Sequence, residues 1–208
     1  MKYTDLLINS NDFDSKSLLT KESIEKVESI LSDYSYFSFI EKVNGGFFYD
    51  YSLQLYSINT SFEFHDIIKV NEVIKKEYGG IVADDFFFGQ EIFGNQFGYS
   101  NDGIIFLNSE TGEREKIANN FDDWIEVLKA DLDYLTGKNI AKVWNNSNVS
   151  FTPNERLYPK KPFVMGGEYK IENLFPLGYP KYISAYANIA NQIHNLPNGT
   201  KLKLKIIE

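Results

Sequence analysis

The chain is predicted to be an α+β protein, with a largely antiparallel or mixed twisted sheet flanked by helices. Three observations predict it. Apolar residues first recur at helical spacing. They then recur at a period of two through several short aromatic runs, and finally return to helical spacing in one long stripe. The composition can fill such a fold, since the 208 residues are 43% hydrophobic and include 17 Phe and 14 Tyr. Disorder requires low hydrophobicity and is excluded for the bulk of the chain.

Residues 1–19 read as an irregular lead-in. Thr20 is placed to cap a helix, with Glu22 near its positive end and Ile24, Val27 and Leu31 at helical spacing. A second short helix carries Phe37, Ile40 and Val43 and stops at Asn44-Gly45-Gly46. Phe47, Tyr49, Tyr51, Leu53 and Leu55 then alternate with Phe48, Asp50, Ser52 and Gln54, which predicts one half-buried strand. Asp66 caps a helix bearing Ile67, Val70, Ile74 and Tyr78, ended by Gly79-Gly80. Four strand-like runs follow at 86–92, 96–99, 104–107 and 114–117. Asn101-Asp102-Gly103 and Glu110-Thr111-Gly112 supply hairpin chemistry between them. Asn120 opens the clearest helix, with Phe121, Trp124, Ile125, Leu128 and Leu132 on one stripe and Gly137 after it.

The character of the sequence changes after this. Asparagines at 145, 146 and 148 and prolines at 153, 159 and 162 predict a connection over 138–165. A strand is expected from Gly166 to Asn173, a helix from Tyr182 to Asn195, and a last strand where Lys201, Lys203 and Lys205 alternate with Leu202, Leu204 and Ile206. The organisation expected is thus a lead-in at 1–19, a core at 20–137, the connection, and a strand–helix–strand extension at 166–208 packed on the core.

The search for chemistry is short. No apolar run reaches the roughly 18 residues that span a bilayer, and no secretory signal is visible, so the cytoplasm is the expected compartment. There is no cysteine, which excludes thiolate chemistry and disulfides. The net charge of −8 argues against nucleic acid as a partner. It also suits simple solubility, or attraction to a basic protein. Only His65 and His194 are available as imidazole bases, and neither sits in a zinc-binding spacing. The acid pairs Asp84-Asp85, Asp122-Asp123 and Asp131-x-Asp133 point apart on helix or strand and read as solvated charge. No nucleophile elbow or phosphate loop occurs. No catalytic residue, cofactor or metal is expected.

An ordered set of features spans about Glu22 to Asp133. It begins with a helix pair ending in Val43-Asn44-Gly45-Gly46 before an aromatic strand, followed by Phe86-Phe87-Phe88-Gly89-Gln90. Gly94-Asn95-Gln96-Phe97 then leads into Tyr99-Ser100-Asn101-Asp102-Gly103, and Phe121-Asp122-Asp123-Trp124 opens the last helix. This set resembles the SUKH superfamily, the domain type also found in a fungal cell-wall-assembly regulator. Pro162 to Gly167, Asn173, the helix through Tyr186 and Gln192, and Leu196-Pro197-Asn198-Gly199 are similar to an extension of some bacterial members. Where the family carries a Leu-Pro segment, this chain has Ser32 to Ser38.

The resemblance implies a mixed fold with no catalytic centre. Its bacterial members imply an immunity protein that binds a toxin domain, a nuclease or deaminase among the classes, and covers its active site or substrate channel. A regulatory scaffold of the fungal type is the alternative. An acidic and aromatic surface would serve occlusion, because toxins that act on nucleic acid carry positive surface and aromatic anchors dominate interfaces. The contact residues expected on loops or exposed strand faces are Glu41, Asp50, Asp84, Asp85, Glu91, Tyr99 and Asp102.

Overall fold

The computed structural model describes Leu6, Ser10–Asn11, residues 19–147, 152–197 and 199–201, and Lys203. Most of the expected terminal strand at 201–206, like most of the lead-in, lies outside the described residues; Lys201 and Lys203, which are described, are not in a strand.

Helix α1 (Lys21–Glu28) starts as its sequence requires. The Thr20 hydroxyl accepts from the Ser23 N–H at 3.1 Å, and the Thr20 N–H donates to the Ser23 hydroxyl at 3.1 Å, so two otherwise orphaned donors are satisfied reciprocally. Helix α2 (Tyr34–Ile40) is capped by Asp33 and stops before Val43, earlier than the apolar spacing suggests. The reason is Asn44. Its side chain pairs in both directions with the backbone of Ile58, donating to the carbonyl at 2.8 Å and accepting from the N–H at 2.7 Å. Gly45 at φ +72° makes the turn, and a Cβ there would stand 2.6 Å from the Leu55 carbonyl, so only glycine fits.

The sheet is an antiparallel meander, β1 to β7 in chain order. Its strands are β1 (Ser10–Asn11), β2 (Gly46–Phe48), β3 (Leu53–Leu55), β4 (Phe86–Glu91), β5 (Gln96–Ser100), β6 (Gly103–Leu107) and β7 (Arg114–Ala118). The single strand expected over 47–55 is in fact two. Phe48 pairs with Leu53, and the chain reverses through Tyr49, Asp50 and Tyr51, at φ +52°, +58° and +68°. Strict alternation concealed the reversal because no glycine marks it. Helix α3 (Ile67–Tyr78) fills the long crossover between β3 and β4, with the Asp66 carboxylate accepting from the Ile68 and Lys69 N–H groups at 3.0 Å each. Helix α4 (Phe121–Ala130) follows β7 under its Asn120 cap.

Alternation places two different chemistries on the two faces of the sheet. One face is aromatic and aliphatic. Phe88, Phe97 and Tyr99 meet Tyr36 of α2 and Phe121 and Trp124 of α4 at ring-centroid distances of 5.1–6.0 Å. Tilted and edge-on rings dominate, the arrangement favoured by aromatic quadrupoles. The other face carries a row of directly paired residues, Phe47, Gln54, Gln90, Gln96 and Leu107. A register shift between Phe87 and Gly89 brings Gln90 into that row while Phe88 stays on the aromatic face.

Beyond α4 lie α5 (Leu132–Thr136) and α6 (Lys138–Asn145), sharing Gly137 at φ +64° between them. Next come β8 (Glu155–Pro159) and β9 (Leu174–Gly178), paired as a separate two-stranded sheet, and helix α7 (Lys181–Ile193). The expected connection therefore contains a helix and a strand. The strand expected at 166–173 is irregular chain ending in a 3-10 turn, Ile171–Asn173, with another such turn just before it at Phe163–Met165, and pairing begins only at Leu174. Asn173 causes the delay, because its amide holds the Lys161 backbone on both sides and the Glu168 carbonyl. Tyr182, Ile183, Tyr186, Ala187 and Ala190 of α7 belong to the main core. Ile92, Phe93, Ala141, Trp144, Leu157 and Leu174 form a smaller second one.

Candidate partner-binding site

Asp33 organises one end of the sheet. One carboxylate oxygen accepts from the Ser35 and Tyr36 N–H groups at 2.9 and 3.3 Å. The other accepts from the Phe121 N–H at 2.7 Å and from the Tyr99 hydroxyl at 2.9 Å. One side chain thus ties α2, α4 and β5 together. Burial, then the adjacent Asp33 carboxylate, hold the Tyr99 phenol well above its usual range, so it remains a donor.

Beside this node lies an open groove of about 620 Å3, whose walls include Ile30, Tyr34, Lys75, Asp84, Tyr99 and Asn101. Tyr34 is 88% exposed and Ile30 is 48% exposed. An exposed Tyr and Ile on a rim of aspartate, asparagine and serine match the make-up of a protein-binding patch, an apolar anchor inside a polar border.

Four of the seven sequence candidates gather here. Asp84, Asp85 and Tyr99 line the groove, and Asp102 lies between its lining residues Asn101 and Gly103. Asp84 and Asp102 are exposed. Asp85 corrects the expectation of solvated charge: it is 1% exposed and ion-paired with Arg114 of β7 at 3.1 Å. Burial pushes its carboxyl up and Arg114 pulls it partly back.

The other three lie elsewhere. Glu41 is exposed at the C-terminal cap of α2. Asp50 is exposed at the apex of the β2–β3 turn, at the opposite end of the sheet. Glu91 is a second correction, because it is 2% exposed where an exposed strand face was expected. Its carboxylate accepts from the Phe93 and Asn95 N–H groups at 2.9 and 2.8 Å, shaping the β4–β5 turn from inside. Burial raises its pKa to about 8, against the opposing pull of those hydrogen bonds and of Arg156.

The successive positive φ values at Tyr49, Asp50 and Tyr51 are costly for L-residues, at about 1–2 kcal/mol each. The turn is held from outside. Asn145 of α6 donates from its side-chain amide to the Asp50 carbonyl at 3.0 Å. The Lys138 ammonium sits 5.4 Å from the centre of the Tyr49 ring, and the Tyr51 ring lies 5.1 Å from Phe47.

Both histidines can now be placed. His65 is fully buried, stacked on Phe47 at 5.2 Å with its Nδ1 2.9 Å from the Gln54 amide. Burial and then Arg156 lower its pKa to about 3, so it is neutral near pH 7 and has a structural setting. His194 is exposed just past α7. Among the described residues, no group of three His, Cys, Asp or Glu side chains is placed to hold a metal ion, and no helix is long and apolar enough to cross a membrane.

Sequence reasoning missed Asp33, Tyr34, Glu110 and Arg156. An aspartate before Tyr34-Ser35-Tyr36 was a readable helix cap. Nothing local marks Arg156 as buried, because a cation takes such a place only through partners supplied from distant strands.

The fold and groove define the class, an α+β domain whose antiparallel meander carries helices on both faces and a polar groove at one end. The chain belongs to the SMI1 / KNR4 family (SUKH-1), whose sequence model matches residues 18–127. Its fold is similar to that in the crystal structure of Atu4351 from Agrobacterium tumefaciens, with a TM-score of 0.61 and 15% identity over 89% of this chain and 88% of that one. That likeness covers more of the chain than the family match and so takes in part of the extension. No curated protein matches the chain.

Proposed function

We propose that this protein is a non-catalytic immunity protein of the SUKH type, acting inside the cell that makes it. It binds a toxin domain and covers the toxin's active site or substrate channel. The observation that carries the reading is the groove beside Asp33. Tyr34 is 88% exposed and lines a cavity together with Ile30 and Asp84, which places an aromatic anchor beside acidic charge as binding hot spots do. Family membership supports a binding role. The excess of 29 acidic over 21 basic residues suits a basic toxin surface that holds phosphates. In the complex, Tyr34 and Ile30 are the buried anchors, and Asp84 and Asp102 meet basic groups at the rim.

The test begins with the neighbouring gene: a secreted protein there with a toxin-like C-terminal domain supplies the probe. Co-expression should rescue growth, and mixing should give a stable complex. Tyr34→Ala should weaken that complex by roughly tenfold to a hundredfold, the usual range for an aromatic hot spot, and leave thermal stability unchanged. Cells that die despite co-expression, with no complex on mixing, would end the immunity reading. A complex indifferent to Tyr34→Ala would move the interface away from the groove.

A further inference from the structure

Tyr49, Asp50 and Tyr51 adopt the left-handed conformation in succession with no glycine among them, although left-handed residues normally occur singly. Two of the three have a packing reason. Tyr49 is 7% exposed within the main core, and Tyr51 lies against Phe47. Asp50 has none. It is exposed, and among the described residues its carboxylate forms no ion pair within 4 Å. The nearby Lys138 ammonium is engaged over the Tyr49 ring instead. Glycine at the apex would close the same turn without steric cost. The chain places an unneutralised carboxylate there.

The apex is also fixed from a distance. Asn145, 95 positions along the chain, donates to the Asp50 carbonyl, and α6, which carries it, lies outside the stretch matched by the family. The extension thus pins the backbone of the turn that carries an exposed carboxylate. Backbone strain held by surrounding structure is a recurrent mark of recognition sites, because a pre-set tip loses little freedom on binding.

We propose that the β2–β3 turn is a second recognition point, in which Asp50 receives a guanidinium or ammonium group of the partner and α6 pre-orients it. This rests on the binding function proposed above and adds a contact at the end of the sheet opposite the groove. A basic partner is the occupant the charge favours, since the apex carboxylate carries no neutralising ion pair on a chain of net charge −8.

The experiment measures binding of a catalytically inactive form of the toxin domain that the co-expression and mixing test identifies, by calorimetry at low and high salt, to wild type, Asp50→Asn and Asp50→Gly. Asp50→Asn removes the charge and keeps a residue that tolerates positive φ, whereas Asp50→Gly also relieves the strain. Both variants should melt at or above the wild-type temperature. Both should bind about tenfold more weakly at low salt, with the loss shrinking at high salt as screening removes the charge term. Unchanged affinity in both variants overturns the proposal while the binding function stands. Loss in Asp50→Gly alone overturns it too, because rigidity and not charge would then be what matters. Failure of wild type to bind removes the binding function itself, and this contact with it.

Discussion

At the centre of the sheet, where β3 and β4 are buried throughout, the two faces are chemically opposite. One is packed by rings, with Phe88, Phe97, Phe121 and Trp124 in mutual contact and each fully buried. The other is packed by amides. Gln54 and Gln90 meet at 2.7 Å, Gln90 and Gln96 at 3.0 Å, and the Tyr56 hydroxyl donates to Gln96 at 2.6 Å. Into this row β8 inserts Arg156, which is 1% exposed. With the Gln90 amide oxygen turned toward it, Arg156 Nε and Nη2 both donate at 3.1 Å, and its guanidinium also lies over the Phe47 ring at 5.8 Å. The aromatic face is non-directional and tolerates exchange of similar volumes. The amide face is directional, and each member depends on the others being present. The strand and helix that follow the family-matched segment dock there, through Arg156 and through the Tyr182 hydroxyl at Gln90.

Substituting one methionine on each face should break this symmetry by the widest margin. Leu55→Met lies on the aromatic side at 1% exposure, and a swap of similar volume there should cost under about 1.5 kcal/mol. Gln90→Met takes the main acceptor away from a buried guanidinium and should cost about 3–5 kcal/mol, as when one partner of a buried charge is removed. Adding Arg156→Met to Gln90→Met should recover much of the loss, because the stranded charge goes with it. Urea denaturation of the four proteins measures all three values. Equal costs for Leu55→Met and Gln90→Met would dissolve the distinction between the faces.

Two buried groups, Glu91 in the β4–β5 turn and His65 stacked on Phe47, have ionisation coupled to folding, and the signs can be worked out. Glu91 has a folded pKa raised to about 8, mainly by burial. Its contribution is complete below its unfolded value and is lost as pH rises through about 8. His65 has a folded pKa lowered to about 3 by burial and by Arg156. Its contribution is complete above its unfolded value near 6.5 and is lost as pH falls from there. Between about pH 5 and 6.5 the two slopes oppose each other. Above 6.5 the His65 slope has ended, and Glu91 by itself should lower stability by at most about 2 kcal/mol by pH 8 at one proton per molecule. Glu91→Gln should flatten that decline, read from urea midpoints across the range. A decline that persists in the variant would assign it to some other group.

The aromatic face was largely legible in the sequence and the amide face was not. The Phe121, Trp124, Ile125 and Leu128 stripe states its helix and its buried side in ten residues. The same holds for Asp66 ahead of Ile67, Val70 and Ile74. Gln54, Gln90 and Gln96 come from three strands, and each alone reads as a side chain facing water. Arg156 was harder still, because Pro153 and Pro159 made its strand look like a connection. The groove was half legible. Asp84, Asp85, Tyr99 and Asp102 fall together because the β4 and β5 ends are paired neighbours. Exposure was misjudged at Asp85 and Glu91, since one found its Arg114 partner 29 positions away and the other turned inward onto its own loop. The Tyr49–Tyr51 reversal was invisible because glycine, the usual mark of such a turn, is absent.

The smallest test concerns how the extension is fastened at a second point. Glu110, in the β6–β7 turn, is 3% exposed and accepts from the Phe163 and Val164 N–H groups at 3.0 and 2.8 Å. Burial raises its carboxyl and those two donors lower it. The bond pair closes off a 3-10 turn that would otherwise leave backbone donors unsatisfied. Its loss should therefore be felt locally, unlike the loss of Gln90, which strands a charge at the centre of a network. Glu110→Gln retains one acceptor oxygen and should cost about 1 kcal/mol, the net value of one hydrogen bond. Amide exchange should quicken at Phe163 or Val164 and stay unchanged at Tyr182 and Tyr186 of α7. Faster exchange along α7 as well would mean that the extension opens as one unit, and that Arg156 and Glu110 hold a single latch.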